Sequence, residues 1–165
     1  MQGQTRHVPL TAAGRRQAHE AARALADHDV QLLVTSDLTR ALQTAEILGG
    51  VLRLTPVLEP RLREQSLGTL EGRLATELVP ETTSPGQHVT SVRWGGGESV
   101  ADVHTRVGAY LRELLADPSE GDTVLVSHGD TIRIALAYLR GRPPPDVDWR
   151  PLPNGSVTSL DGRPR

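Results

Sequence analysis

Three residue types are missing from this chain of 165 residues: cysteine, phenylalanine and lysine. The absence of cysteine excludes disulfides, thiolate nucleophiles and zinc sites built on cysteine. With only two tryptophans and two tyrosines as aromatic residues, the core must consist mainly of Leu, Val, Ile and Ala. Since every one of the 18 basic residues is arginine, a cationic contact to a phosphate must come from a guanidinium, whose planar fork can donate two parallel hydrogen bonds.

Long runs of charge or of apolar residues are also missing. The net charge is −2 and the arginines are scattered, without the basic stripe of a nucleic-acid-binding protein. No apolar run approaches the roughly 20 residues of a membrane span, and residues 1–7 are too polar for a secretory signal. We therefore expect a cytoplasmic protein with neither nucleic acid nor a membrane as its partner. The abundance of Ala, Gly, Pro and Arg is typical of a GC-rich bacterial genome.

The order of the predicted elements indicates an α/β fold. Periodicity and end signals predict helices over 11–27, 38–48, 99–115 and 130–139 and strands over 31–35, 51–58, 122–127 and 156–160. Strands that alternate with helices favour a mostly parallel sheet covered on both faces. Residues 73–98, with two prolines and three consecutive glycines, are expected to form a lid-like excursion over one sheet edge. This length fits one domain, expected to span residues 1–165.

Residues typical of helix ends mark several of these boundaries. Thr11 is expected to cap the first helix, and either Ser36 or Asp37 the second. Gly49-Gly50 is expected to end the second helix. Ser99 stands where a capping box would open the third helix.

A histidine follows the strand predicted over 122–127. The tetrapeptide Ser127-His128-Gly129-Asp130 places His128 at the C-terminal edge of the sheet, where open α/β sheets bind their ligands. A helix is predicted to begin there, and the backbone N–H groups and dipole of a helix N-terminus favour an anion. His128 and Gly129 are therefore candidate phosphate-binding residues, and the alternative is an ordinary turn after a strand.

Three further segments carry groups that suit a phosphate site. Arg40 lies near the start of the second predicted helix and can reach over the sheet edge toward an anion, although a solvated arginine is the alternative. Glu64 could protonate a leaving-group oxygen if its pKa is raised toward neutrality. Glu71 is a weaker candidate, and either carboxylate could simply lie on a surface loop. Glu98 and Arg106 follow a run of glycines that fits a flexible loop equally well.

In their order and spacing, these segments resemble the histidine phosphatase superfamily, the family of cofactor-dependent phosphoglycerate mutases and related phosphatases. The matching motifs are Ser36-xxx-Arg40-Ala-xx-Thr44-Ala, Leu62-Arg63-Glu64, Gly97-Glu98-Ser99, Ser127-His128-Gly129 and Asn154-Gly-Ser156. With the Pro9-Leu10-Thr11 segment, the resemblance covers essentially the whole chain. It implies a three-layer α/β/α sandwich, phosphoryl transfer by way of a histidine to water or another hydroxyl, and no metal or other cofactor.

The resemblance also implies roles for single residues. His128 would be the second, non-nucleophilic histidine, which holds the phosphoryl oxygens. Arg40 would clamp the phosphate, and Glu64 would donate a proton to the leaving group.

The substrate pocket has four candidates. Gln2 matches a polar residue near the pocket in family members that carry Gln-Gly there. His7 is a candidate for the rim of the pocket, while Arg93 and Trp94 are candidates to face the substrate from the excursion.

One motif of the family has no counterpart in the expected place. Family members begin with a strand that ends in Arg-His-Gly, well upstream of the Pro-Leu-Thr segment, and its histidine is the nucleophile. Here eight residues precede Pro9, and the Arg6-His7 pair is followed by Val8. We therefore expect the first central strand of the family to be missing from this chain. Lower stability, or pairing of two copies in a homodimer, is the expected consequence.

Three functions remain open. The first is a phosphomonoester hydrolase for a small phosphorylated metabolite, inactive or impaired because the nucleophilic histidine is absent. The second is a non-catalytic member that binds a phosphate ligand through Arg40 and His128. The third is a phosphotransferase of the mutase type, which the shortness of the 73–98 segment disfavours. A role for His7 as substitute nucleophile competes with the simpler interpretation of an exposed loop histidine.

Overall fold

The computed structural model describes residues 2–74, 76, 85–117 and 120–160, and within them helices alternate with strands. The helices are α1 (Ala12–Ala24), α2 (Thr39–Leu52), α3 (Val100–Ala116) and α4 (Gly129–Leu139), and the strands are β1 (Val30–Thr35), β2 (Val57–Leu58) and β3 (Asp122–Val126). Short 3₁₀ turns lie at Pro60–Leu62, Gly68–Leu70, Val89–Ser91, Trp94–Gly96 and Pro144–Asp146. No helix within the described ranges is long and apolar enough to cross a membrane.

The strands form a parallel sheet in the order β2-β1-β3. After a shift in register between Val30 and Leu32, β1 and β3 pair continuously to their ends, where Thr35 lies beside Val126. β2 pairs only with the last two residues of β1. The residues that follow Thr35 and Val126 are therefore neighbours at the carboxyl edge of the sheet.

Helices cover both faces of this sheet. Successive side chains of a strand point to opposite faces, so Leu33 packs with α1 and α2, whereas Val34 packs with α3 and α4. Val103, Val107 and Ile134 are fully buried on the side of α3 and α4. The result is the expected three-layer α/β/α sandwich with an aliphatic core.

Two of the predicted helix caps form. The Oγ1 atom of Thr11 accepts a hydrogen bond from the backbone N–H of Gly14 at 3.1 Å, so α1 begins where the sequence places it. At the start of α3, Ser99 Oγ accepts from the N–H of Asp102 at 3.1 Å. The carboxylate of Asp102 accepts in return from the N–H of Ser99 at 2.9 Å, which completes the capping box.

The start of α2 differs from the prediction. Its N-cap residue is Leu38, which offers no side-chain cap. Ser36 and Asp37 are engaged in tertiary contacts instead, Ser36 with His128 and Asp37 with Arg63. Ser36 Oγ also accepts from the N–H of Leu38 at 3.3 Å, so it contacts the N-cap residue without capping the first turn of α2.

The end of α2 also differs. The helix continues past Gly49 to Leu52 and ends at Arg53, which adopts a left-handed conformation with φ of 60°. Gly49 is needed inside the helix, because a Cβ atom there would lie 2.4 Å from the carbonyl oxygen of Leu54. Most of the strand predicted over 51–58 therefore does not form, because the helix continues into these residues. The strand that does form here is Val57–Leu58.

The strand predicted over 156–160 does not form. These residues are exposed and pair with no strand in the part of the chain that the structure describes. A strand needs a neighbour for its backbone hydrogen bonds, and none of the described strands lies beside this segment. The excursion predicted over 73–98 falls partly outside the described residues, since 75 and 77–84 are not described, and the remainder holds the turns at 89–91 and 94–96.

Candidate active site

The carboxyl edge of the sheet brings together two polar residues that follow β1 and β3. Ser36 is fully buried and donates its backbone N–H to the carbonyl oxygen of Val126 at 3.0 Å. This contact extends the ladder between the strands by one step. It places Ser36 Oγ 2.9 Å from the Nε2 atom of His128.

His128 is a buried imidazole, with 8% of its surface exposed. Burial, followed by the positive charges of Arg40 and Arg106, lowers the pKa of His128 to about 3. The ring is therefore neutral at physiological pH. A neutral ring beside two arginines can hydrogen-bond to an anion, and it gains affinity for a proton once that anion arrives.

Arg40 projects from the first turn of α2 toward the same edge. Its Nη1 atom donates to the carbonyl oxygen of Thr5 at 3.0 Å, and Nη2 donates to that of Gly3 at 2.7 Å. Burial lowers the pKa of Arg40, while the charges of Glu64 and Glu71 oppose this shift. A guanidinium nevertheless stays protonated in proteins. Among the described residues, no carboxylate forms a close ion pair with Arg40, and the charges of Glu64 and Glu71 act on this partly buried cation from a greater distance.

Glu64 places its carboxylate on the N-terminus of α4. One oxygen, Oε1, accepts from the N–H of Thr131 at 3.2 Å and from its hydroxyl at 3.2 Å. The other, Oε2, accepts from the N–H of Asp130 at 3.3 Å. Burial, and then the charge of Asp130, raises the pKa of Glu64 despite these hydrogen bonds. A carboxyl group with a raised pKa is suited to give up a proton at near-neutral pH.

Gly129 lies between these groups. A Cβ atom at this position would be 3.1 Å from the guanidinium of Arg133 and 4.0 Å from Glu64 Oε2. The structure thus brings His128, Gly129, Arg40 and Glu64 to one end of the sheet.

Three of the four candidates for the substrate pocket are exposed. Gln2 and His7 are exposed, and Gln2 contributes only its carbonyl oxygen, which accepts from the N–H of Thr5 at 2.9 Å. Arg93 is exposed and bound through both Nε and Nη2 to Asp102. Trp94 is half-buried.

Trp94 lines a cavity of about 230 Å³ beside the loop that carries Glu64. The other residues that line it are Gln65, Val89, Thr90, Val100 and Trp149. Gln65 directly follows Glu64, so one wall of this cavity belongs to the loop that carries the candidate acid.

Sequence reasoning missed the residues that support these groups. Ser36 and Thr131 are fully buried and hydrogen-bond to His128 and Glu64. Ser36 could have been found, because it directly follows a predicted strand at the expected ligand edge. Thr131 could not, because its neighbour Glu64 is distant in sequence.

Comparison with known proteins extends the resemblance. A profile of the histidine phosphatase superfamily (branch 1) matches residues 1–165. The probable phosphoglycerate mutase GpmB of Yersinia enterocolitica is 37% identical over 165 residues, which cover 98% of this chain and 76% of that protein.

Solved structures with the same fold include a mycobacterial glucosyl-3-phosphoglycerate phosphatase. Its native structure gives a TM-score of 0.75 at 34% identity over 87% of this chain and 73% of that one. The same phosphatase has been solved in complex with VO3 and with inorganic phosphate. YhfR of Bacillus stearothermophilus gives a TM-score of 0.73 at 26% identity over 92% of this chain and 76% of that one.

Proposed function

Because the chain belongs to the histidine phosphatase superfamily, we propose that it binds a small phosphorylated metabolite at the carboxyl edge of its sheet and is organised as a phosphomonoester hydrolase. The observation that carries this proposal is Arg40, a partly buried cation that lacks a carboxylate partner among the described residues. A buried unpaired charge is costly. A phosphate group would relieve that cost and accept charge-assisted hydrogen bonds from the guanidinium.

The three side chains have complementary roles in this proposal. Arg40 and His128 hold the phosphoryl oxygens. Glu64, with its raised pKa, gives its proton to the leaving-group oxygen as the bond between phosphorus and that oxygen breaks. Stabilisation of charge and positioning of this kind account for most of the catalysis of phosphoryl transfer.

A second histidine that could accept the phosphoryl group is not found beside these side chains in the described part of the chain. All six histidines of the chain lie in its described part, and none of the other five hydrogen-bonds to His128, Arg40 or Glu64 there. His7 is exposed on the N-terminal segment. We therefore propose that hydrolysis by this chain is impaired. The same observation favours a second candidate function, a non-catalytic member that only binds a phosphate ligand.

The names of the relatives suggest the kind of substrate. One is a probable phosphoglycerate mutase and another a glucosyl-3-phosphoglycerate phosphatase, so a phosphorylated hydroxy acid or its glycoside is the first compound to test. We favour hydrolase over mutase because the segment over 73–98 is short.

Binding and turnover must be measured separately. Calorimetry with inorganic phosphate and orthovanadate measures binding, and release of p-nitrophenol from p-nitrophenyl phosphate measures hydrolysis. We expect binding with little hydrolysis in the wild type and loss of binding in His128→Ala. Equal phosphate binding by the wild type and by His128→Ala would remove the proposed site.

Added imidazole distinguishes the two candidate functions. If only the acceptor is missing, an imidazole nitrogen can attack phosphorus and displace p-nitrophenolate, an anion stable enough to leave without a proton, and water then hydrolyses the N-phosphorylated imidazole. We expect imidazole to restore p-nitrophenol release in the wild type but not in His128→Ala, which lacks a group that holds the phosphoryl oxygens. With phenyl phosphate, whose leaving group needs the proton of Glu64, the rescue should also be lost in Glu64→Gln. Phosphate binding without any such rescue supports the non-catalytic function.

A further inference from the structure

Arg106 binds the backbone on both sides of the candidate proton donor. It projects from α3, and its Nη2 atom donates to the carbonyl oxygens of Arg63 and Glu64 at 2.9 and 3.1 Å. Its Nη1 atom donates to the carbonyl oxygen of Arg61 at 2.6 Å. One side chain thus holds three carbonyl groups of the loop over 61–64.

Glu98 binds the same loop from the other direction. Its Oε2 atom accepts from the N–H of Ser66 at 3.0 Å and from the side-chain amide of Gln4 at 3.2 Å. Its carbonyl oxygen accepts from the side-chain amide of Gln65 at 2.6 Å. Glu98 and Arg106 are joined by a fork of two hydrogen bonds, at 2.7 Å from Nε and 3.0 Å from Nη2.

The pair is well shielded, with 17% of the Arg106 side chain and 24% of the Glu98 side chain exposed. A charge pair in such surroundings makes strong, directional hydrogen bonds. It holds the carbonyl groups before and at Glu64 and the N–H group two residues after it. The backbone on both sides of Glu64 is therefore held in place. Its side chain extends from this backbone, and the carboxylate rests on the N-terminus of α4.

We propose that Arg106, paired with Glu98, is a positioning residue for Glu64: it fixes the loop so that the acid is held against the N-terminus of α4. The proposal rests on the proposed function, in which Glu64 donates the proton. The hydrogen bonds of the Arg106 side chain go to Glu98 and to carbonyl groups of the loop over 61–64, so we assign it no contact with the substrate. Arg106 affects the reaction by fixing where the Glu64 carboxyl group lies, and therefore how deeply that carboxyl group is buried.

The variant Arg106→Lys separates the effect of the position of Glu64 from the effect of the positive charge at residue 106. An ammonium group keeps the positive charge near His128 but cannot span Glu98 and three carbonyl oxygens at once. The field of the other charged groups around Glu64 stays in place; these are Asp130 and Arg133 on α4, Arg40 on α2 and Glu98 before α3. A change in the pKa of Glu64 in Arg106→Lys therefore reports a change in the position of its carboxyl group.

Arg61→Lys is the matched control. Arg61 forms a similar fork, from Nε and Nη2 to the carboxylate of Glu59, and also lies in this loop. Its side chain contacts no atom of residues 63–66 among the hydrogen bonds of the described part. Both variants disturb a fork to a carboxylate, but only Arg106→Lys also removes hydrogen bonds to the carbonyl groups of Arg63 and Glu64.

The readout is the pKa of Glu64 in the full-length chain, from ¹³C NMR of its carboxyl carbon, assigned with Glu64→Gln. Because burial is the main cause of its raised pKa, we expect this pKa to fall toward its ordinary range in Arg106→Lys and to stay at the wild-type value in Arg61→Lys. A merely structural role would give both variants the same pKa and only different melting temperatures. That outcome would overturn the proposal.

A second variant guards against a failure to fold. Glu98→Gln keeps the shape of the side chain but removes the charge that orients Arg106, and we expect the pKa of Glu64 to fall in it as well. Phosphate affinity separates this proposal from the proposed function. If Arg40→Ala binds phosphate as the wild type does, the proposed function fails. If Arg40→Ala loses binding while the pKa of Glu64 stays unchanged in both Arg106→Lys and Glu98→Gln, only the positioning role fails.

Discussion

The two sides of the candidate site are held in different ways. On the acid side, the loop of Glu64 is tied by the Glu98–Arg106 pair, in which each charge is matched by an opposite charge. On the anion side, the guanidinium of Arg40 donates to two neutral carbonyl oxygens, and no carboxylate of the described residues forms a close ion pair with it. The first arrangement is complete without a ligand, whereas the second leaves room for an anion beside the guanidinium. Under the proposed function, rigidity and affinity for an anion therefore lie in separate parts of one sheet edge.

The largest expected effect tests the completeness of the acid side. In Glu98→Ala, Arg106 is left as an unpaired and largely buried cation. Breaking a fully buried pair costs about 3–5 kcal/mol, and partial exposure reduces our expectation to about 2–3 kcal/mol in the free energy of unfolding. Urea denaturation measures it. Asp148→Ala, which frees the exposed Arg150, is the control and should lose little, so equal losses in the two variants would contradict the comparison.

The next effect tests the anion side. Arg40→Ala removes charge-assisted hydrogen bonds to phosphate, which corresponds to affinity weaker by about 10–100-fold. The free energy of unfolding should change by about 1 kcal/mol or less, since the lost partners are neutral carbonyls. Arg16→Ala removes the same charge from the exposed face of α1 and controls for net charge. Calorimetry with phosphate would contradict the assignment if both variants weakened binding equally.

A smaller effect concerns the pH dependence of the anion side. Folded His128 stays neutral to about pH 3, while in the unfolded chain it binds a proton below its ordinary pKa of 6.5. Stability is therefore lost as the pH falls through this window, by about 1–2 kcal/mol at pH 5. His128→Gln should remove this part of the slope, and the exposed His19→Gln should retain it. Unfolding free energies at pH 5 and 7 decide between them.

The smallest expected effect marks the outer limit of the anion side. Arg93 is exposed and already paired with Asp102, so Arg93→Ala should leave phosphate affinity unchanged. Its only expected consequence is a looser start of α3, where Asp102 also caps the helix. A clear loss of phosphate affinity in this variant would extend the site to the residues before α3.

Much of the architecture could be predicted because its causes are local. The β-branched run of β3, the cap at Thr11 and the capping box at Ser99 each depend on residues close in sequence. The position of His128 at the sheet edge followed from the order of strand, turn and helix alone.

What could not be predicted depends on contacts between distant segments. Gly49 resembles a helix terminator, but it is a point of close approach to the carbonyl oxygen of Leu54. The segment over 156–160 has the composition of a strand yet lacks a neighbour to pair with. Arg106 gives no local signal of its role, because its partners include carbonyl groups more than 40 residues away in sequence.

The hold on Arg40 has a consequence for how the chain can diverge. Its partners are the carbonyl oxygens of Gly3 and Thr5, which every amino acid possesses. The side chain of Thr5 is therefore free to vary without loss of the contact. Gly3 is not, since its φ is +46° and a Cβ atom there would lie 2.7 Å from Glu71 Oε1. The contact of Arg40 thus depends on the path of the main chain and not on the side chains of its partners. In an alignment of related sequences, we expect it to be visible only as a conserved glycine.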